Sequence, residues 1–284
     1  MSHTYPLIHI DDITPESLEE RDGWAISEFR LPISGVHGSS TTAFHSIFRP
    51  GTAHKKHVHR SCDEIAVYLS GKGTIGQGEG RSEVGPGHCR LIPRGTEHFF
   101  QNTGEDEEAV VVGFYLEAGD LEKSGYEFCG DVQPEDLKST GKDITEGLLL
   151  HMDDVPQENM DAGEGWSITD FRLPFGKHNG CKSTLFRARF FPGAVHKKHR
   201  HDNCEEIYYI ISGHGLAGAG EDRVEVRGGH FHYIPRGVEH WLHNLSPTVP
   251  IEVVGIYIGA GSVEDTGYVY MGDVTEDDIR ARTG

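Results

Sequence analysis

Nearly every distinctive stretch of this chain occurs twice, 142 residues apart. Trp24–Pro32 (WAISEFRLP) returns as Trp166–Pro174 (WSITDFRLP), and Gly51–Gly71 (GTAHKKHVHRSCDEIAVYLSG) returns as Gly193–Gly213 (GAVHKKHRHDNCEEIYYIISG). The offset still holds at Gly130-Asp131-Val132 and Gly272-Asp273-Val274, so no net insertion separates the copies. A period of this length corresponds to a domain rather than to a solenoid repeat. The 284-residue chain is therefore expected to form two domains, 1–142 and 143–284, joined near the polar stretch Gly141–Glu146. Each half is long enough to bury its own core.

Thirty-seven glycines and thirteen prolines, without collagen period, break the sequence into short alternating segments such as Trp24–Phe29, Thr42–Phe48 and Ile65–Leu69. Such segments read as strands joined by tight turns, and the expected class is all-β, with each half a closed or nearly closed antiparallel barrel. Short helices are expected over Pro15–Asp22, with Thr14 as N-cap, and over Pro134–Lys138. Gly104–Glu108 reads as a solvated hairpin tip.

The repeated stretch carries two histidines one residue apart, His57 and His59 or His199 and His201. On a strand, residues i and i+2 share a face, so the two imidazoles stand side by side. Glu64 or Glu206 returns at the head of the next strand, and His98 or His240 follows a Pro-Arg-Gly turn. Three imidazoles and a carboxylate suit a divalent transition metal, Mn, Fe, Co, Ni or Zn, better than Ca or Mg, which prefer oxygen shells.

The spacing G-x5-HxH-x4-E-x6-G followed by G-x5-PxG-x2-H-x3-N resembles the two motifs of the cupin superfamily at every defining position, in both halves. The resemblance covers nearly the whole chain. It implies a bicupin, two tandem double-stranded β-helix (jelly-roll) barrels with a few short helices, similar in architecture to oxalate decarboxylases, quercetin dioxygenase and cupin-type sugar isomerases. It further implies metal ligation by His57, His59, Glu64 and His98 and by His199, His201, Glu206 and His240, hence up to two metals per chain.

Strict alternation from His57 and His199 aims Lys55 and Lys197 into the barrel and His54 and His196 outward, whereas a β-bulge near the glycine would exchange them. All four are catalytic candidates, with His54 and His196 first because an imidazole titrates nearest neutral pH. In the oxalate decarboxylases a substrate-holding arginine stands where this chain has His54 and His196. An imidazole does not reproduce a bidentate guanidinium clamp, which counts against oxalate decarboxylation. Arg90 and His232 hold matching places, while Tyr68 corresponds to Ile210 and Tyr208 to Ala66, so the two pockets should differ in shape.

The net charge of −19 repels a phosphate backbone and excludes nucleic acid and anionic membrane as partners. A small-molecule substrate, an anion included, can still be recruited by local positive charge within about 10 Å. The five cysteines form no C-x-x-C pair, and a disulfide framework is not expected; Cys62 and Cys204 read as small packed thiols. With no apolar run near the ~20 residues that span a bilayer and no leader pattern, a cytoplasmic protein is expected. Assembly into a homo-oligomer stays open. The expected function is a metal-dependent isomerase or epimerase acting on a small sugar or sugar acid through an enediol. The alternatives are an Fe- or Mn-dependent dioxygenase cleaving an enolic or hydroxylated substrate and a non-enzymatic metal-dependent ligand-binding protein.

Overall fold

A computed structural model describes residues 4–16, 24–158, 166–167 and 170–280. The chain forms two compact units, Ile13–Asp154 and Val155–Gly284 with Met1–Asp12. Among the described residues all strand pairings are antiparallel.

In the N-terminal unit one sheet runs in the order Leu149–His151, His88–Ile92, Glu64–Ser70, Ala109–Tyr115, Thr42–Phe48, Glu28–Ile33. The second runs Tyr126–Gly130, Ala53–His59, His98–Asn102, Gly73–Gln77, Gly80–Val84, with Trp24–Ala25 also paired to Ala53–His59. Between them lies a core that includes Phe29, Phe44, Phe48, Tyr68, Phe100 and Tyr115. The C-terminal unit repeats this plan, with Phe171, Phe186, Phe190, Tyr208 and Tyr257 inside. Phe29, Phe44, Phe48 and Tyr115 recur inside the other unit as Phe171, Phe186, Phe190 and Tyr257, whereas Tyr68 and Phe100 give way to Ile210 and Leu242 and Ala66 to Tyr208.

The compact units differ from the halves 1–142 and 143–284 by an exchange of edge strands. Leu7–His9 pairs with His230–Ile234, and its equivalent Leu149–His151 pairs with His88–Ile92. Each thereby covers a sheet edge that would otherwise expose unpaired backbone groups.

Pro134–Lys138 is a turn rather than a helix, held by Asp136 N–H to Gln133 O at 2.9 Å and Lys138 N–H to Glu135 O at 3.2 Å. The equivalent Glu276–Arg280 is an α-helix. There Thr275 Oγ1 accepts from Asp278 N–H at 3.3 Å while Asp278 Oδ2 accepts from Thr275 N–H at 2.8 Å, a reciprocal cap. Gln133 stands in the place of Thr275, and its longer side chain has no hydroxyl to make that cap. The helix expected over Pro15–Asp22 lies mostly outside the described residues. Among the described residues no helix is long and apolar enough to cross a membrane.

Candidate metal centres

The strand Ala53–His59 is irregular at the position that decides which side chains reach the interior. His57 pairs with His98 and His54 with Phe100, so Lys55 and Lys56 together oppose a single residue, Phe99. This bulge resets the alternation. His54 and His57 both turn inward, with ring centroids 3.7 Å apart, and Lys55 and Lys56 turn to partly exposed positions where they pair with Asp131 at 2.6 Å and Asp136 at 3.0 Å. The C-terminal strand is bulged in the same way: His196 stacks on His199 at 3.7 Å, Lys197 pairs with Asp273 at 2.7 Å and Lys198 with Asp278 at 2.9 Å. Strict alternation thus fails here. The structure brings His54 and His196 to the ligand clusters and holds Lys55 and Lys197 in ion pairs with outer carboxylates.

His57, His59, Glu64 and His98 are all buried, with candidate ligand atoms within 4.8 Å of one another, and so are His199, His201, Glu206 and His240. Backbone carbonyls fix the imidazole tautomers. The Nδ1–H of His57 donates to Lys55 O at 2.6 Å and that of His98 to Thr96 O at 2.9 Å; His199 and His240 donate to Lys197 O at 2.7 Å and Val238 O at 2.9 Å. The Nε2 lone pairs therefore face inward. His57 Nε2 and His199 Nε2 are buried without a hydrogen-bond partner. His98 Nε2 and His240 Nε2 lie 3.2 and 3.1 Å from Oε2 of Glu64 and Glu206, each an acceptor facing an acceptor. A proton or a metal ion between the atoms relieves this contact, and with three imidazoles and a carboxylate converging in each barrel the residues fit a divalent transition metal and form two His3Glu centres.

Charge agrees with this. Burial pushes the His57 and His199 imidazoles well below 6.5, so they are neutral, as metal ligands must be. Burial works against an ionised Glu64, but the hydrogen bonds and positive charge that His59 and His98 supply when protonated outweigh that and hold it well below the usual carboxylate range; a metal ion among the same atoms would take the place of those protons. Aromatic rings brace the ligands: Tyr126 stacks on His57 at 5.1 Å and Tyr115 lies 4.8 Å from His59, with Tyr268 and Tyr257 in the same roles. Tyr126 and Tyr268 stand 142 residues apart and so belong to the repeat, but nothing in the sequence around them ties them to the ligands.

The interiors differ beyond the ligands. Tyr208 and His232 face each other across two strands and join through a hydrogen bond of 2.7 Å between the hydroxyl and Nδ1. In the N-terminal barrel the same pair of positions holds Ala66 and Arg90. A narrow cavity in the C-terminal barrel is lined on its polar side by His196, His199, Glu206, Tyr208 and His240 and elsewhere by aromatic and aliphatic side chains. Arg94 lies outside this region, bound to Asp63 and Glu117. Cys62 and Cys204 are packed thiols; burial pushes Cys62 up to about 12.

The Cupin domain family model matches residues 44–115 and 186–257, together half of the chain. An uncharacterised protein of Methanocaldococcus jannaschii is 34% identical over 89 residues, which is 31% of this chain and 70% of that protein. A single-residue variant of Bacillus subtilis oxalate decarboxylase superposes with a TM-score of 0.70 at 13% identity, covering 95% of this chain and 80% of its own. A Lactobacillus farciminis oxalate decarboxylase in complex with formate does so with a TM-score of 0.70 at 13% identity, covering 95% and 90%. The Bacillus enzyme contains Mn(II) centres. With the family's domain present twice and a complete ligand set in each copy, the chain belongs to the cupin family and is a bicupin with two metal-binding barrels.

Proposed function

We propose that the chain is a metal-dependent enzyme that moves a proton on a small oxygenated substrate, isomerising or epimerising a short hydroxy-carbonyl compound, sugar or sugar acid, through an enediol. When bound, the metal supplies Lewis acidity toward a carbonyl or hydroxyl oxygen. The observation that carries the reading is the position of His196, a non-ligand imidazole lining the same cavity as His199, Glu206 and His240. Burial lowers His196 to about 3, so it is neutral and able to accept a proton at neutral pH. It is a weak base there until negative charge develops on the substrate beside it, which raises its proton affinity in step with the reaction. Tyr208 offers a hydroxyl on the same wall, backed by His232. A few polar groups beyond the ligands, His196 and Tyr208 first among them, against an otherwise largely aromatic and aliphatic lining suit a short substrate better than a full hexose.

That lining also favours a second reading, an Fe- or Mn-dependent dioxygenase for an enolic substrate. Metal analysis of the purified protein, followed by an oxygen electrode and by NMR in D2O on a panel of short hydroxy-aldehydes, hydroxy-ketones and hydroxy acids, separates the two. Solvent deuterium entering the carbon beside the carbonyl without oxygen uptake supports proton transfer. Oxygen uptake coupled to substrate loss supports the dioxygenase and ends the first reading.

A further inference from the structure

Arg90 lies on the strand His88–Ile92, opposite Ala66 and on the same face as Glu64, whose partner is Ile92. Only 3% of it is exposed. Its guanidinium crosses the interior to the other sheet, where Nη1 donates at 3.3 Å to both Gly76 O and Phe99 O, the latter one residue past the ligand His98. It sits 5.9 Å from the Tyr68 ring, with Nε and the Tyr68 hydroxyl lacking hydrogen-bond partners. Among the described residues no carboxylate pairs with it. Other buried or nearly buried arginines are treated differently: Arg187 has Asp170 at 2.8 Å and Glu252 at 3.5 Å, Arg81 has Asp136 at 3.5 Å and Arg223 has Asp278 at 3.3 Å. A guanidinium buried without a counter-ion is costly, and two long bonds to neutral carbonyls offset little of that cost.

We infer that Arg90 is the counter-cation of a carboxylate-bearing ligand bound at the His57, His59, Glu64 and His98 centre, so that the N-terminal barrel selects anions and the C-terminal barrel does not. A divalent ion and Arg90 against the single negative charge of Glu64 leave an excess of positive charge, whereas at the C-terminal centre the hydrogen-bonded Tyr208 and His232 stand in the places of Ala66 and Arg90 and no guanidinium does. Small Ala66 clears the space that Tyr208 fills in the other barrel, which lets the longer side chain extend over Tyr68. The inference names a substrate class for one of the two centres proposed above, but it concerns binding alone.

The test is calorimetric titration of the metal-loaded full chain with malonate, with uncharged malonamide as control, at fixed ionic strength. One equivalent of malonate should bind, malonamide should not, and Arg90→Gln should weaken malonate binding at least tenfold while Arg90→Lys retains part of it. His57→Ala with His59→Ala should abolish the binding and His199→Ala with His201→Ala should leave it. Without ligand, Arg90→Met should melt at or above the wild-type temperature, because an unpaired charge is removed; a purely structural strut would melt lower. Malonate binding that is absent in the wild type, unchanged in Arg90→Gln or matched by malonamide overturns the inference, and so does a lowered melting temperature in Arg90→Met. Arg90-dependent malonate binding by a protein with no turnover upholds the inference and removes only the catalytic reading.

Discussion

His54 lies flat against His57, with ring centroids 3.7 Å apart and planes 26° from parallel, although residues three apart on a regular strand face opposite ways. The bulge at Lys55 and Lys56 makes the contact, and the same contact joins His196 to His199. A fourth imidazole is thus held beside the three of each ligand set without being part of it.

Substituting that imidazole should separate chemistry from metal retention. His54→Gln and His196→Gln keep a side chain of similar reach and all eight ligands, so metal content by elemental analysis should stay at the wild-type value. Turnover should fall by roughly a hundredfold at the centre that is active, the scale of a positioned acid or base. Full activity in both variants would return the role to another group, Tyr208 first.

Metal content should follow the two centres independently. Wild type should hold two ions, and His57→Ala with His59→Ala should hold about half as much, since each ligand set comes from one barrel. Chelation should leave the strand signal in circular dichroism intact, because the aromatic cores are continuous without the metal. An unchanged metal content in the double variant, or loss of strand signal on chelation, contradicts this.

The metal-free protein should lose stability as the pH falls below about 6.5. Burial lowers His54, His57 and His199 well below 6.5 and His196 to about 3, whereas the unfolded chain protonates all of them near 6.5. Between these values the unfolded state binds more protons, so each such group removes about 1.4 kcal/mol per pH unit until its folded pKa is reached. Above 6.5 both states are neutral at these groups and the slope should vanish. Urea unfolding of the chelated protein at pH 7.5, 6.5 and 5.5 measures it, and replacing His54 and His196 by Gln should flatten the acid limb. A midpoint that holds steady from 7.5 to 5.5 refutes the claim.

The ligands were legible in the sequence because their spacing is set within single strands and turns, where HxH, the following glutamate and the PxG-x2-H turn are local patterns. Whether His54 or Lys55 faces inward was not, because the bulge shows itself only in the pairing of His57 with His98 and His54 with Phe100. The exchange of Leu7–His9 and Leu149–His151 was hidden by the repeat itself, since equivalent strands trade places and leave the offset unchanged. Arg90 acquires meaning only when the register places it opposite Ala66. The helix at Glu276–Arg280 and the turn at Pro134–Lys138 could have been told apart from Thr275 and Gln133.

Gly113 links the core to the N-terminal centre and yields the last prediction. It lies mid-strand between Phe44 and Ala66, and a Cβ there would stand 2.2 Å from the Phe44 ring and 2.4 Å from Ile65 O. Neither contact can stand, so the strand has to shift away from Ile65 O and the Phe44 ring has to move with it. Phe44 packs on Tyr115 at 4.8 Å, and Tyr115 lies 4.8 Å from the ligand His59. Gly113→Ala should therefore cost about 1–3 kcal/mol in urea unfolding, the usual range for overpacking, and should also weaken metal retention in the N-terminal barrel. Phe44→Leu in the same chain gives the ring's space back and should recover part of both losses, a coupling expected of residues in contact. Gly255→Ala, which meets Phe186 at 2.3 Å, should act on the C-terminal centre alone. If the losses from Gly113→Ala and Phe44→Leu simply add, or if metal retention is untouched while stability falls, the path from Gly113 through Phe44 and Tyr115 to His59 does not operate.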